Sequence, residues 1–269
     1  MKKLRTTATQ VVFLVFLAAA TFVVAVSDKY VVPIIMYHSV NDKALEHLQN
    51  ASTVNIDRFR YHMEFLRKNH FRVISFDELV QGIKSARPFP RKTVVLTFDD
   101  GYDDVYTNAF RILREYGYPA TVFVLTDLIG REGYMTWDQL KEMRSSGLIT
   151  VGSHTQTHAY LPEVPEDVQR KEIAQSKKIL ENVFGEPVKY FAYPVGGFTD
   201  AIKDMVRAAG YEAACTTNRG FNRFNTDVYA LKRIRFSSKD NTYRILTVKL
   251  SGFYNLFRSE KPGYGPKGK

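Results

Sequence analysis

The sequence predicts a parallel α/β fold of about seven βα units, and three observations carry that expectation. Strand-like runs rich in Val, Ile and Phe alternate with segments whose apolar residues recur at helical spacing, along nearly the whole chain. Several of the helical segments stop at glycine (Gly117, Gly147, Gly185 and Gly210), as C-terminal caps often do. The length, 269 residues with 45% hydrophobic content, suits one domain with a sizeable core. The alternation alone leaves open whether the strands close into a barrel or form an open doubly wound sheet.

The elements follow in order. The run "YVVPIIMY" is a β-branched strand ending at His38, and "NIDRFRYHMEFLRKN" has helical spacing with Asn55 as its cap and Asp57 in its first turn. "FRVISF" is a strand and "FDELVQGIKS" a helix; "TVVLTF" is a strand leading into the helix "VYTNAFRILREYG". "ATVFVLT", "ITVGS", "KYFAYP", "YEAACTT" and "YALKRIRF" are the later strands. The helices "TWDQLKEMRSSG", "EDVQRKEIAQSKKILENVFG", "TDAIKDMVRAAG" and "NTYRILTVKLSG" alternate with them. Three regions result: a targeting segment over 1–26, a catalytic domain over 27–252, and a basic Gly/Pro-rich tail over 253–269 expected to be disordered. The targeting segment has a positive start, "MKKLR", and then an uncharged apolar run. It reads as a signal peptide that is cleaved or stays as a single-pass anchor, which places the domain outside the cell or at its surface.

A formal charge of +10 suggests an anionic environment. The basic residues are scattered and form no nucleic-acid motif, so a cell wall or membrane surface is expected rather than nucleic acid. A single cysteine, Cys215 in an apolar context, excludes a disulfide framework and reads as a packed thiol. A monomer is expected.

In parallel α/β folds the working residues sit where strands end. That rule selects His38, Asp99, Asp100, Thr126, Asp127, His154, Tyr193, Pro194 and a position after "YALKRIRF". His47, His62 and His70 fall elsewhere and are expected to be solvated. Four carboxylates, Asp99, Asp100, Asp103 and Asp104, crowd the end of "VVLTF", and such charges repel unless compensated. "HTQTH" places His154 and His158 four apart, with strand-forming residues before it, so it begins at a strand end and turns rather than lying on a helix. Two imidazoles and one carboxylate make an open catalytic metal site. Either Asp99 or Asp100 can be that carboxylate, leaving its neighbour free as a base. A metallopeptidase built on "HTQTH" is disfavoured, because the glutamate such an enzyme uses as base is missing.

"TFDDGYDD" and "SHTQTH" resemble the first two motifs of the polysaccharide deacetylases, carbohydrate esterase family four, and "YFAYPVG" resembles the third. The resemblance spans 31–236. It implies a distorted (β/α)7 barrel and metal-dependent removal of N-acetyl, sometimes O-acetyl, groups from a polysaccharide such as peptidoglycan or poly-N-acetylglucosamine. It assigns Asp99 as the base and Asp100, His154 and His158 as ligands of a divalent metal, zinc first, with cobalt, iron or nickel as alternatives. Tyr193 and Pro194 would shape the substrate groove. The backbone N–H of Gly101 or Tyr102 would meet the oxyanion, and Trp137 would either stack on a sugar or pack structurally. Two departures stand out. Ala192 occupies the place where many members carry an arginine that orients the base, and Arg233 is the candidate to replace it, with a substrate contact or an ordinary surface arginine as the alternatives. Many members of the family also use a late histidine as general acid; no histidine follows His158 here, and His38 is expected to fill that role. A glycan-binding protein weakened by these departures is the alternative. Asp103 and Asp104 are expected to face the dipole of the following helix.

Overall fold

A computed structural model describes residues 30–42, 53–217 and 225–257. The expected targeting segment, His47 and most of the expected tail lie outside these residues. The chain divides into Met1–Val31 and Val32–Lys269, and the architecture that follows is that of the second unit.

Eleven short strands and seven α-helices alternate among the described residues. The strands are β1 Ile34–Tyr37, β2 Ser39–Val40, β3 Thr53–Val54, β4 Arg72–Val73, β5 Thr93–Phe98, β6 Ala120–Val124, β7 Ile149–Ser153, β8 Tyr190–Ala192, β9 Ala213–Thr216, β10 Leu231–Lys232 and β11 Ile234–Arg235. The helices are α1 Ile56–Lys68, α2 Phe76–Lys84, α3 Arg111–Tyr116, α4 Trp137–Ser145, α5 Glu166–Phe184, α6 Asp200–Ala208 and α7 Tyr243–Lys249. The main sheet runs β10-β9-β8-β7-β6-β5-β1-β11, all parallel, with β4 added to the start of β5.

The two ends of that order close on each other. β10 pairs with β9 and β11 pairs with β1, yet only Arg233 separates β10 from β11. They are two halves of one strand that changes partner at Arg233, so the ring has seven positions: β1, β5, β6, β7, β8, β9 and β10/β11. The fold is a distorted (β/α)7 barrel.

Burial explains why the strands are so apolar. All six residues of β5 are buried, as expected of a parallel strand covered on both faces. Gly152 in β7 is needed for space: a Cβ there would lie 2.6 Å from the Phe123 ring and 2.9 Å from the Tyr190 carbonyl. Phe123 in turn packs 5.5 Å from the Arg233 guanidinium.

Local signals fix most helix ends. Thr136 and Gln139 form a reciprocal capping box on α4, and Ser75, Thr199 and Thr242 accept from the first turns of α2, α6 and α7. Gly117 and Gly185 close α3 and α5 in the left-handed conformation. Asn55 holds the cap position of α1 without a side-chain bond; its N–H goes to Ser238 Oγ instead.

Three expectations need correction. The segment after "TFDDGYDD" opens as a π-helix, Val105–Phe110, before it becomes α3. His62 is buried, 2% exposed, whereas His70 is exposed as expected. The His62 ring meets the Tyr37 hydroxyl at 3.1 Å and the Asp240 carbonyl at 2.7 Å. The expected disordered tail begins with an ordered 3₁₀ turn, Tyr254–Phe257.

Candidate active site

Strand β5 delivers two carboxylates to the C-terminal rim and sends them to different partners. Asp99 stays in the ladder, its N–H donating to the Tyr37 carbonyl at 3.0 Å. Asp100 and Gly101 then leave it with φ of +74° and +84°. A side chain at Gly101 would come within 3.1 Å of Val124 and Ile129, so both the turn and the space require glycine. A left-handed aspartate stores about 1–3 kcal/mol of strain, which a site must hold by its surroundings.

Asp99 meets Arg233 in a two-pronged ion pair, Nη1–Oδ1 and Nη2–Oδ2 both at 2.6 Å. Arg233 is fully buried, and its Nε donates to the Thr216 carbonyl at 3.1 Å and its Nη1 to Thr97 Oγ1 at 3.2 Å. The planar guanidinium matches a carboxylate as a lysine could not. Burial alone would raise the Asp99 pKa, but the Arg233 charge outweighs it and holds the carboxyl well below its usual range. The arginine therefore reaches Asp99 from the β10/β11 strand that closes the barrel, two positions round the ring from β8, which contains Ala192.

Asp100 faces the two histidines. Its Oδ1 lies 3.5 Å from His154 Nε2 and 3.7 Å from His158 Nε2, and the three possible ligand atoms are all within 4.8 Å of one another. His154 Nδ1 is 2.7 Å from the Ala192 carbonyl. A carbonyl only accepts, so Nδ1 carries the hydrogen and the Nε2 lone pair is turned towards Asp100. Burial pushes His154 down to about 3 and lowers His158 as well, which leaves both imidazoles neutral. Burial raises Asp100, and the neighbouring Asp99 charge adds to this. Asp100 Oδ1 is buried without a hydrogen-bond partner. A buried acceptor left so costs about 1–3 kcal/mol. An orphaned carboxylate oxygen beside two neutral imidazole nitrogens is the donor set a divalent cation takes, and the residues fit one.

The loop carrying the histidines is a turn, as its strand-forming approach predicts. β7 ends at Ser153, and Thr155 and His158 have φ of +73° and +68°. His38 follows β1, half-buried. Burial lowers its pKa, against the opposing pull of Asp100 and Asp99. Asp104 holds the segment just after it, accepting from Ser39 Oγ at 2.5 Å and the Val40 N–H at 3.1 Å. Asp104 sits at the start of the π-helix but makes no cap bond, so its carboxylate serves β2 rather than the following helix.

The remaining candidates divide by exposure. Tyr193 is fully buried, with its hydroxyl donating to the Tyr229 carbonyl at 3.0 Å and its ring stacked on Phe198. It supports its loop from inside, and Pro194 is buried beside it. The exposed apolar residue of that loop is Val195, 44% exposed with φ of +57°. Sequence reasoning passed over Val195, although it directly follows the proline it selected. Tyr102 is buried, hydrogen-bonded through its side chain to Asp100 and stacked on Tyr134 at 5.2 Å. Thr126 is buried, and the exposed Asp127 meets Gln156 Nε2 at 3.4 Å. Trp137 is half-buried and packs against the core where α4 opens.

Comparison with known proteins gives consistent matches. A family model described as polysaccharide deacetylase matches residues 86–214. YxkH of Bacillus subtilis (strain 168), itself named a candidate polysaccharide deacetylase, is 33% identical over 205 residues, 76% of this chain and 71% of that one. A Staphylococcus aureus protein named poly-beta-1,6-N-acetyl-D-glucosamine N-deacetylase is 26% identical, covering 75% of this chain and 73% of its own. Among solved structures, the Streptococcus pyogenes deacetylase PplD, in complex with acetate, superposes with a TM-score of 0.70 at 30% identity. That match covers 77% of this chain and 92% of PplD.

Proposed function

The chain belongs to the polysaccharide deacetylase family, and from that premise we propose that it is a metal-dependent hydrolase removing N-acetyl groups from a poly-N-acetylglucosamine type of cell-surface glycan. The observation that carries the metal dependence is the buried, unpartnered Oδ1 of Asp100 between the Nε2 atoms of His154 and His158. The choice of glycan leans on the name of the Staphylococcus aureus relative. Export by the 1–26 segment, as cleaved signal or retained anchor, belongs to the same reading, because such a polymer lies outside the cell.

Asp100, His154 and His158 would hold the cation. A bound divalent ion supplies a Lewis acid and brings the pKa of a water to about 7, with zinc the first choice for two imidazoles and one carboxylate. The chain's own residues do the rest. Asp99 accepts the proton released as water adds to the acetyl carbonyl and gives it up to solvent before the next turnover. Arg233 keeps that carboxylate ionised and fixes its plane, and each oxygen retains a lone pair beyond its bond to the guanidinium. His38 is neutral at pH 7 because of its burial, so it must take up a proton before giving one to the departing amine. A preorganised, largely buried set of this kind needs little reorganisation during the reaction.

Acetate release from N-acetylglucosamine oligomers and from peptidoglycan tests the proposal, with and without chelator and with zinc or cobalt restored. Release that needs the metal and falls about 10²–10⁴-fold in Asp99→Asn, the range for losing a general base, is expected. Release that survives exhaustive chelation would overturn the metal dependence. Release from peptidoglycan alone would overturn the choice of glycan.

A further inference from the structure

The loop between the two histidines is held from outside. Every main-chain N–H from His154 to His158 has a partner: Val124 O for His154, Ser153 Oγ for Thr155, Glu172 for Gln156 and Thr157, and Thr155 Oγ1 for His158. Two of these five therefore end on one carboxylate that lies far along the chain, on α5. Glu172 Oε2 accepts from the Gln156 N–H at 2.8 Å and the Thr157 N–H at 3.0 Å, while Oε1 accepts from Thr157 Oγ1 at 2.7 Å. Glu172 is 6% exposed.

We infer that Glu172 is a positioning residue for the metal ligands, fixing the turn that aims His154 and His158 at Asp100. The inference rests on the reading of those three residues as a metal site. The physical case is the strain in the turn. Thr155 and His158 both sit in the left-handed region, which non-glycine residues enter at a cost of about 1–3 kcal/mol each. A β-branched threonine is especially disfavoured there. Such a backbone persists only where its surroundings over-determine it. The Glu172 carboxylate does this by drawing two successive N–H groups to one oxygen, and hydrogen bonds to a charged acceptor are the strong ones. One turn further along α5, Ser176 receives the Ser153 hydroxyl at 2.7 Å, so the helix grips both the strand end and the turn. Glu172 is not one of the three candidate ligands. Its effect is on where the imidazoles stand before a cation arrives, as outer-shell partners act on metal affinity.

The test uses the full chain stripped of metal and titrated with Co(II), read by the cobalt absorption bands and by competition with a coloured chelator. Glu172→Ala is expected to weaken Co(II) binding about 10–100-fold, the usual cost of losing an outer-shell partner. Glu172→Gln should recover most of it, because the amide oxygen can still accept both N–H groups. Ile173→Ala, which opens a cavity under the same helix, should lower the melting temperature and leave the Co(II) affinity unchanged. Equal losses in Glu172→Ala and Ile173→Ala would overturn the inference, as would a folded Glu172→Ala with wild-type affinity. Where Glu172→Ala does not fold, Thr157→Ala decides: it removes one of the three bonds, and wild-type Co(II) affinity there would also overturn the role. A folded wild type that binds no Co(II) would instead sink the metal reading, and the role with it.

Discussion

Arg233 concentrates the residue-scale argument. Its guanidinium is fully buried and forks onto Asp99, so removing it strands a charge in the interior. Arg233→Met is expected to destabilise the protein by about 3–5 kcal/mol, the cost of breaking a buried pair by removing one partner. The double variant Asp99→Asn with Arg233→Met should recover part of that loss, since no unpaired charge remains. Urea denaturation of the two single variants and the double measures the coupling, and additive losses would show that the pair is not one unit. Asp99, Asp100 and His154 could be picked from the sequence because they stand at the ends of apolar runs that had to be strands, and His158 because it lies four residues beyond His154. The Arg233 pair was reachable only through the family resemblance, because Asp99 and Arg233 are 134 positions apart and meet only through barrel closure. His62 was misread for a smaller reason. It lies on the same helical stripe as Phe59, Met63 and Leu66, all buried, and that spacing outranks the polarity of an imidazole.

At the scale of elements, the strands and helices were legible because apolar periodicity and caps are local properties. The connecting turns were not, since long-range bonds set their conformation. The segment from His38 to Val40 shows this. Its backbone is held by Asp104, through Ser39 Oγ and the Val40 N–H, and by Asn108, whose Nδ2 donates to the Val40 carbonyl at 2.8 Å. Asp104 and Asn108 are the N-cap and a member of the π-helix. This π-helix therefore has a job: it turns two polar side chains towards the segment that carries the proposed general acid. π-helical turns often mark such places. Asp104→Ala should leave metal binding intact, because Asp100 and both histidines are untouched. It should lower kcat more than it raises KM, by up to the 10²–10⁴-fold that general acid catalysis contributes. Steady-state kinetics of the metal-loaded variant measures this; a loss confined to KM would assign Asp104 to substrate binding instead.

On the scale of the whole molecule, a second buried network joins β1, α1 and the stretch between β11 and α7. Tyr37, beside the active-site rim, meets His62 Nδ1, and His62 Nε2 meets the Asp240 carbonyl. The Asp240 carboxylate accepts from the Ser237 N–H at 2.7 Å and pairs with Lys249 at 2.5 Å. Because a carbonyl only accepts, the native tautomer carries its hydrogen on Nε2, and Nδ1 accepts a hydrogen bond from the Tyr37 hydroxyl. A second proton on His62 would break that arrangement, and burial pushes its pKa from 6.5 down to about 4. The unfolded chain therefore binds a proton that the native state refuses between pH 6.5 and 4. Stability should rise with pH across that window and fall as the solution is acidified through it. About 2.5 pKa units correspond to roughly 3 kcal/mol. His62→Gln keeps a donor and an acceptor but cannot titrate. It is expected to lose about 1–3 kcal/mol at pH 7.5, where its hydrogen bonds are imperfect, and to close that gap with the wild type towards pH 4. Urea denaturation at the two pH values decides it: stability curves for wild type and variant that run parallel would mean His62 takes up its proton in the folded barrel without disturbing the ring of strands.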